Sequence, residues 1–573
     1  MTSLPGVLHD YRRSGVIGRD EIAAAELLVA MARRDGAAEP EPLAWLAICL
    51  AIRTVRDGHT CVDFNRIEDW AGGLDLGSAE AAAWPVEPEP WLAALARAEP
   101  LVGCPGQRRP LVLDGSRLYL ARSLAEEEAI AAALTRDHGS RVRILLGGPG
   151  TGKTTKVASD LVERFSRLGR GEARPRLALA APTGKAAARM SEVLLARCTA
   201  AGATDEVKAA VAAEPARTVH KLLGYHPDRS RRFTYHAGNP LPYDLVIVDE
   251  ASMLSSSLMH DLLAALGPRA EIMLVGDPDQ LASVDAGTVL GDIASLIDPA
   301  AAGSAAEGLA GRIEVLTTVH RAKDAPTIQA MSEAIRRGDP EAVIEIAGSG
   351  EPDVAWVDPA DKAAFEQLVG EVVDHARRLG QAAVAGNAAA AAATQAELQV
   401  LCGHREGSLG VAGWNGRVER RLGVAASGPW YAGRPVMATR NSRALRLSNG
   451  DIGVVLLSGN RKEAVFGRDP HLVHVPISRL EDITTVHALT IHKSQGSEYD
   501  HAVVVLPERP SRIVTRELLY TGITRAIRKV TLVGSAEVIT AALARPIRRA
   551  TGLAARLGQG EAQARPLANR GSV

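Results

Sequence analysis

Apolar residues recur at helix-like intervals over 22–31 and 43–55, which predicts two amphipathic helices near the start of the chain. Over 75–90 the pattern dissolves into Gly, Ala, Pro and Glu. Beyond residue 116 the period changes. Short apolar runs at 143–146, 177–180, 245–248 and 272–275 each end in a turn containing Gly, Pro or Asp, and a helical stretch usually follows. Unbroken apolar runs alternating with helices are the pattern of parallel strands buried between helices. Residues 341–400 read as mostly helical, with an alanine-rich surface helix or linker at 381–396. The buried-strand pattern returns at 397–402, 503–506 and 530–533. Between the first and second of these lie strands at 435–439, 453–458 and 472–476, separated by turn residues such as Asn449-Gly450. The expectation is an α/β protein. A helical module fills 1–115, a first parallel-sheet core 116–345, and a second core 346–415 and 486–560. A small β insertion at 416–485 splits the second core, and a polar tail at 561–573 frays.

Composition narrows the class. At ~150 residues per domain, 573 residues leave room for about four domains. A net charge of −1 excludes a global basic field, so any nucleic acid must be held in a local groove. Five scattered cysteines without a C-x-x-C pair argue against disulfides, zinc and iron–sulfur clusters, and for buried thiols in a reducing compartment. No signal-peptide pattern opens the chain, and no apolar run approaches the ~18 residues that suggest a membrane span. The expected location is the cytoplasm.

The chemistry begins at Gly147-Gly148-Pro149-Gly150-Thr151-Gly152-Lys153-Thr154, with Thr155 behind it. It fits the phosphate-loop pattern between a strand and a helix. Glycines let backbone N–H groups turn toward phosphate oxygens, and the helix N-terminus adds positive potential. Lys153 is expected to reach the β- and γ-phosphates of ATP and Thr154 to ligate Mg2+. The next signal, Asp249-Glu250, ends an apolar strand. Asp249 would complete the magnesium shell, and Glu250 would orient and activate the attacking water. Gln280, after a further strand, could contact both the γ-phosphate and that water. Two arginines, Arg321 and Arg525, are candidates to neutralise transition-state charge.

The ordered motifs add Ala181-Pro182-Thr183-Gly184-Lys185, Thr218-Val219-His220-Lys221 and Thr490-Ile491-His492-Lys493-Ser494-Gln495-Gly496-Ser497-Glu498. This set resembles the superfamily I helicases, in which two RecA-like cores clamp ATP. Residues 405–415, 433–453, 492–498 and 516–520, with Gly58-His59-Thr60-Cys61, are similar to the RecD family, the alpha subunits of exodeoxyribonuclease V, over about 40–555. The resemblance implies a 5′→3′ DNA helicase subunit in a heterotrimer with RecB-like and RecC-like chains, acting on single-stranded and duplex-end DNA. It places Thr183, Lys185, Thr218, His220, Thr490, His492, Lys493 and Ser494 on the DNA side. It makes Gln495, Gly496 and Glu498 couplers to the nucleotide, and the β insertion SH3-like. Two departures stand out. Many such helicases read adenine with a glutamine shortly before the phosphate loop, but 118–134 contains none and the nearest upstream is Gln107. The last motif reads Arg525-Ala526-Ile527-Arg528, where an arginine at 527 would be closer to the family.

Aromatics make up only 3% of the chain, so any base-stacking platform is small. Phe233, Tyr235, Trp414 and Tyr431 are its candidates, with core packing the default for each. No carboxylate–lysine cluster outside the ATP motifs suggests a nuclease. Two other readings stay open: a free-standing RecD-like helicase, and a regulatory ATPase that does not translocate.

Overall fold

A computed structural model of the chain describes residues 6–34, 36–68, 84–135, 141–167, 174–226, 232–297, 309, 311–319, 325–424, 428–458, 461–468 and 471–558. The frayed tail expected at 561–573 lies outside these residues, as does most of the Gly/Ala/Pro/Glu stretch.

The N-terminal region carries the expected helices, Arg19–Arg34 and Pro42–Asp57. It also carries a sheet that the periodicity did not predict. Strands β1 (Cys61–Asp63), β2 (Val102–Gly103), β3 (Leu111–Asp114) and β4 (Arg117–Leu120) pair in the order β1-β4-β3-β2. Because β4 lies beyond residue 115, the expected end of this module falls inside a hairpin. Strands of two to four residues are too short to show alternation.

The first core is a six-stranded sheet. Strands β5 (Val142–Gly147), β6 (Leu177–Ala181), β7 (Arg217–Thr218), β8 (Leu245–Val248), β9 (Glu271–Gly276) and β10 (Ile313–Leu316) pair in parallel, in the order β10-β5-β9-β8-β6-β7. The second begins with β11 (Val354–Val357) and β12 (Leu398–Cys402). The insertion follows as β13 (Pro435–Ala438), β14 (Ile452–Ser458), β15 (Arg461–Arg468), β16 (His471–Pro476) and β17 (Ile483–Thr485), antiparallel in the order β16-β15-β14-β13-β17. Strands β18 (Ala488–Thr490), β19 (Tyr499–Val505) and β20 (Ala526–Val533) then return to the second sheet, parallel in the order β11-β20-β19-β12-β18.

Packing moves two of the expected boundaries. Ala325, Ile328, Met331, Ile335 and Val343 are buried with the second sheet rather than the first, so the second core starts before residue 346. The helix Val411–Leu422 runs through position 416, and its fully buried Trp414 packs in the second core.

A polar hub ties the two ends of the chain together. Thr60 N–H donates to Ala550 O, and the Ala550 N–H donates to His59 Nδ1 (2.9 Å). Glu127, fully buried, accepts from the Thr60 hydroxyl, the Tyr119 hydroxyl and the Gly552 N–H. Burial pushes its carboxyl above the ordinary range. Arg549 spans Ser283 O, Asp285 O (2.6 Å) and Gly287 O (2.9 Å) in the first core. Gly58 sits against that guanidinium at φ 84°, and a Cβ there would lie 2.9 Å from Arg549 Cζ. The family-like Gly58-His59-Thr60 piece is therefore a docking site for the C-terminal segment.

Arg549→Ala would leave three carbonyls without their shared donor and is expected to cost roughly 2–4 kcal/mol. Chemical denaturation checks the magnitude, and limited proteolysis should show faster cleavage near residue 550.

Candidate active site and DNA-facing surface

Strand β5 delivers the phosphate loop, and the loop's geometry explains its glycines. Gly150 and Gly152 adopt φ of 76° and 86°. A Cβ at Gly147 would come within 2.6 Å of Thr151 Oγ1 and 2.9 Å of Leu316 O. Gly152 begins the helix Lys153–Ser166 without a side-chain cap, which leaves the first N–H groups for an anion. The Lys153 ammonium donates to Gly147 O and Gly148 O (2.9 Å). A triphosphate would compete for the same donors.

Strand β8 ends at Asp249-Glu250. Asp249 accepts from the Glu250 N–H at 2.9 Å. Burial first, then the neighbouring Glu250, pushes its carboxyl up to about 6, against the pull of Lys153. Glu250 has φ 53° and ψ 38°, one of two described non-glycine residues at positive φ. Such backbone is strained, and strain of this kind concentrates at functional sites. The loop from Gly148 to Thr155, with Asp249, Glu250, Gln280 and Arg525, lines one cavity of about 910 Å³. The hydroxyl of Thr154 and the carboxylate of Asp249 are hard oxygen donors on that cavity, a set suited to Mg2+.

Gln280 joins the two cores. It is buried, and its Nε2 donates to Asp277 Oδ2 (3.0 Å) while its Oε1 accepts from Arg525 (3.0 Å). Arg525 also donates to Thr521 O (3.1 Å) and Ser497 O (3.3 Å). Tyr520, on the second core, donates to Asp277 Oδ2 at 3.2 Å. Arg321, the other arginine candidate, lies outside the described residues. The three couplers all cross the cleft. Gln495 donates to Leu281 O (3.4 Å), Glu498 pairs with Arg189, and Gly496 packs on Ala186, which a Cβ would approach to 3.3 Å.

Three of the residues expected on the DNA side form a repeated device. Thr183, Thr218 and Thr490 each lie at or just past the end of a parallel strand and cap the next helical turn, accepting the backbone N–H of Ala186, Lys221 and Lys493. Their hydroxyls orient helix N-termini; Thr490 is itself 8% exposed. The DNA-facing expectation is corrected for Ser494, which is fully buried and donates its hydroxyl to Ile491 O (2.7 Å). Lys493 and His492 remain exposed. Their rims reach solvent, but the protein packed around them partly desolvates the charged forms, and with the adjacent Arg405 cation this holds both below their ordinary pKa values. Arg405 and Lys493 line a smaller cavity together with Thr490 and Asn415, and their like charges call for an anion. On the first core, Lys185 and Lys221 face Asp451 of the insertion, and both pull its carboxyl downward against the larger effect of burial. The insertion also reaches Gly184, where a Cβ would lie 2.7 Å from that of Ser448.

Of the aromatic candidates, Trp414 and Tyr431 are core residues; Tyr431 bonds Glu419 and His487. Phe233 and Tyr235 pack partly buried against the first core. Tyr225, not singled out by its sequence, is 39% exposed beside Phe233 and His220. Its signal was the short Tyr225–Phe233 bridge, invisible to periodicity.

Residues 15–119 match the family model "RecBCD enzyme subunit RecD, N-terminal domain", 127–286 an AAA domain, and 485–533 a UvrD-like helicase C-terminal domain. The chain is 40% identical to the RecBCD enzyme subunit RecD of Mycolicibacterium smegmatis over 91% of its own length and 94% of that protein. It is 40% identical to the RecBCD enzyme subunit RecD of Mycobacterium tuberculosis over 96% and 97%. The ATP-dependent RecD2 DNA helicase of Deinococcus radiodurans is 33% identical over 74% of this chain and 51% of that one. Among solved structures, a Bacteroides Pif1 helicase with ADP-AlF3 and ssDNA aligns at 17% identity and a TM-score of 0.36, covering 71% of this chain and 91% of that one.

Relieving the left-handed backbone at position 250 should separate stability from turnover. Glu250→Gly is expected to gain about 0.5–1 kcal/mol in unfolding free energy while losing ATP hydrolysis by ~10²-fold or more. A urea titration and phosphate release on the same preparation check both; lower stability or retained turnover would exclude a strained catalytic carboxylate.

Proposed function

The chain belongs to the RecD family of RecBCD subunits, and from that premise we propose that it is the 5′→3′ DNA motor of a RecBCD-type helicase/nuclease. It is an ATP-dependent DNA helicase. Its substrates would be single-stranded and duplex-end DNA, and its partners RecB-like and RecC-like chains in a cytoplasmic heterotrimer. The observation that carries the motor reading is the bridge Asp277–Gln280–Arg525, which puts groups of both cores on one nucleotide cavity.

In this mechanism the phosphate loop and Lys153 hold the triphosphate. Thr154 and Asp249 would hold Mg2+, which screens charge on the phosphate oxygens. Glu250 orients the water, and Arg525 stabilises the charge that builds on the transferring phosphoryl group; an arginine in this role is worth ~10³–10⁵ in rate. Hydrolysis removes the anion that draws Arg525 and the phosphate loop together. That change reaches the DNA side through Gln495, Gly496 and Glu498, which join the motif around His492 to the first core. Lys185, Lys221, His492, Lys493 and Arg405 would contact the backbone of one strand. The antiparallel insertion, as an SH3-like unit, would cover that path from the second core.

Identity of 40% to the RecD subunits, against 33% to the RecD2 helicase, favours a subunit over a free-standing enzyme. Lys153→Ala should lower DNA-stimulated ATPase and 5′-tailed strand displacement by at least ~100-fold without changing the melting temperature. Normal unwinding by that variant as the sole motor would sink the assignment. DNA affinity should also fall steeply between 50 and 200 mM salt, by ~10-fold or more for several phosphate contacts; a flat response in filter binding would contradict a backbone-tracking groove.

A further inference from the structure

The phosphate loop borders two cavities. One, described above, takes in Lys153, Asp249, Glu250 and Arg525. The other, of about 850 Å³, is lined by Gly147, Gly148 and Thr151 of the same loop. Its walls differ in character. Ile297, Val315, Ala325 and Ile328 contribute apolar surface, and one side of the helix Pro326–Arg337 faces in.

That helix is amphipathic. Ile328, Met331 and Ile335 are buried in the second core, while Gln329, Ser332, Glu333 and Arg336 line the cavity at i, i+3, i+4 and i+7. Three of those four polar residues are internally paired. Ser332 donates to Ile328 O (2.8 Å), and Arg336 pairs with Asp279 (2.9 Å) and Glu333 (2.9 Å). Gln329 is the exception: its Oε1 is buried and has no hydrogen-bond partner among the described residues. An orphaned buried acceptor costs about 1–3 kcal/mol, which helix stability alone gives no reason to retain.

A side-chain amide is the group that reads adenine, accepting from the N6 amino group and donating to N7. Guanine presents a carbonyl where adenine has the amino group, so the same amide meets a mismatched edge. A flat base against Ile297, Val315 and Ala325, with its phosphates at the loop that both cavities share, would use the two cavities at once. We propose that Gln329 reads the adenine base of bound ATP from this second cavity, filling the role that the segment before the phosphate loop leaves vacant. The proposal rests on the reading of the loop as an ATP site. It makes base recognition a second-core function, so the base as well as the phosphates would draw the two cores together.

Gln329→Leu keeps the volume, removes the orphaned acceptor and should leave the melting temperature equal or higher. In the full chain, assembled with its partners, it should raise KM for ATP by ~10-fold, the equivalent of about 1.4 kcal/mol, with kcat little changed. The ATP-over-GTP preference in kcat/KM should shrink by a similar factor. Purine riboside triphosphate, which lacks the N6 amino group, should behave like ATP in the variant and worse than ATP in the wild type. Gln329→Glu, which keeps the acceptor and loses the donor, should fall between. Unchanged KM and base preference in both variants would overturn the assignment, as would a fall in kcat alone. Wild-type ATP turnover is the control: its absence would remove the ATP reading itself, whereas normal turnover with an unaltered base preference in the variants removes only the role of Gln329.

Discussion

Arg525 must stay charged in a place where it is 4% exposed. A buried guanidinium without partners would be prohibitively unstable, and one bonded directly to a carboxylate would be neutralised. The chain takes neither course. Its donors go to two backbone carbonyls and to the amide oxygen of Gln280. In that network Arg525 reaches the acid Asp277 through Gln280, and Asp277 also accepts from the Tyr520 hydroxyl. Neutral acceptors hold the side chain in place and leave its positive potential largely uncancelled, facing the phosphate loop. This is preorganised electrostatics: the cost of orienting the dipoles is met during folding rather than during reaction.

Much of the inter-core surface follows from that requirement. Gln280 comes from the first core and Arg525 from the second, so the guanidinium is satisfied only when the cores adjoin. Neighbouring contacts share the condition. Leu281 N–H donates to the Thr521 hydroxyl at 3.0 Å, and Gln495 reaches the carbonyl of the same leucine. Parallel sheets make this possible, because the phosphate loop, Asp249 and Gln280 all leave their strands at the same end. The capped turns at Thr183 and Thr218 leave β6 and β7 of that sheet at the same end, so they sit on one rim with the phosphate loop.

How much of this was readable depends on how far each feature is local. Strands β5, β6, β8 and β9 are buried on both faces, and their unbroken apolar runs appeared within a residue or so of their observed bounds. Edge strand β10 was missed because Glu314 and Val315 are exposed, which breaks the run. Strand β7 is two residues long and has no pattern to find. Motif spacing identified Lys153, Asp249, Glu250 and Gln280 as a site and brought in Arg525 by resemblance; the structure puts them on one cavity. Spacing could not tell that Ser494 faces inward, since that depends on what packs beneath the turn, and here both Thr490 and Ser494 are buried. Nor could it find Gln329, Arg405 or Arg549, whose surroundings are supplied by segments distant in sequence.

The C-terminal segment sets a limit on how the cores can move. After the helix Ala536–Leu543 the chain leaves the second core, and Arg549, Ala550 and Gly552 fasten it to the first core and to the N-terminal region. Leu553 and Leu557 then bury themselves in the first core's cluster. The second core is thus held to the first at this strap. A strap anchored at both ends limits how far the two cores can separate without undocking Leu553 and Leu557. His59 and Thr60 bond Ala550, and Arg549 bonds carbonyls of the first core, so the N-terminal region, the strap and the first core are fastened together at one place.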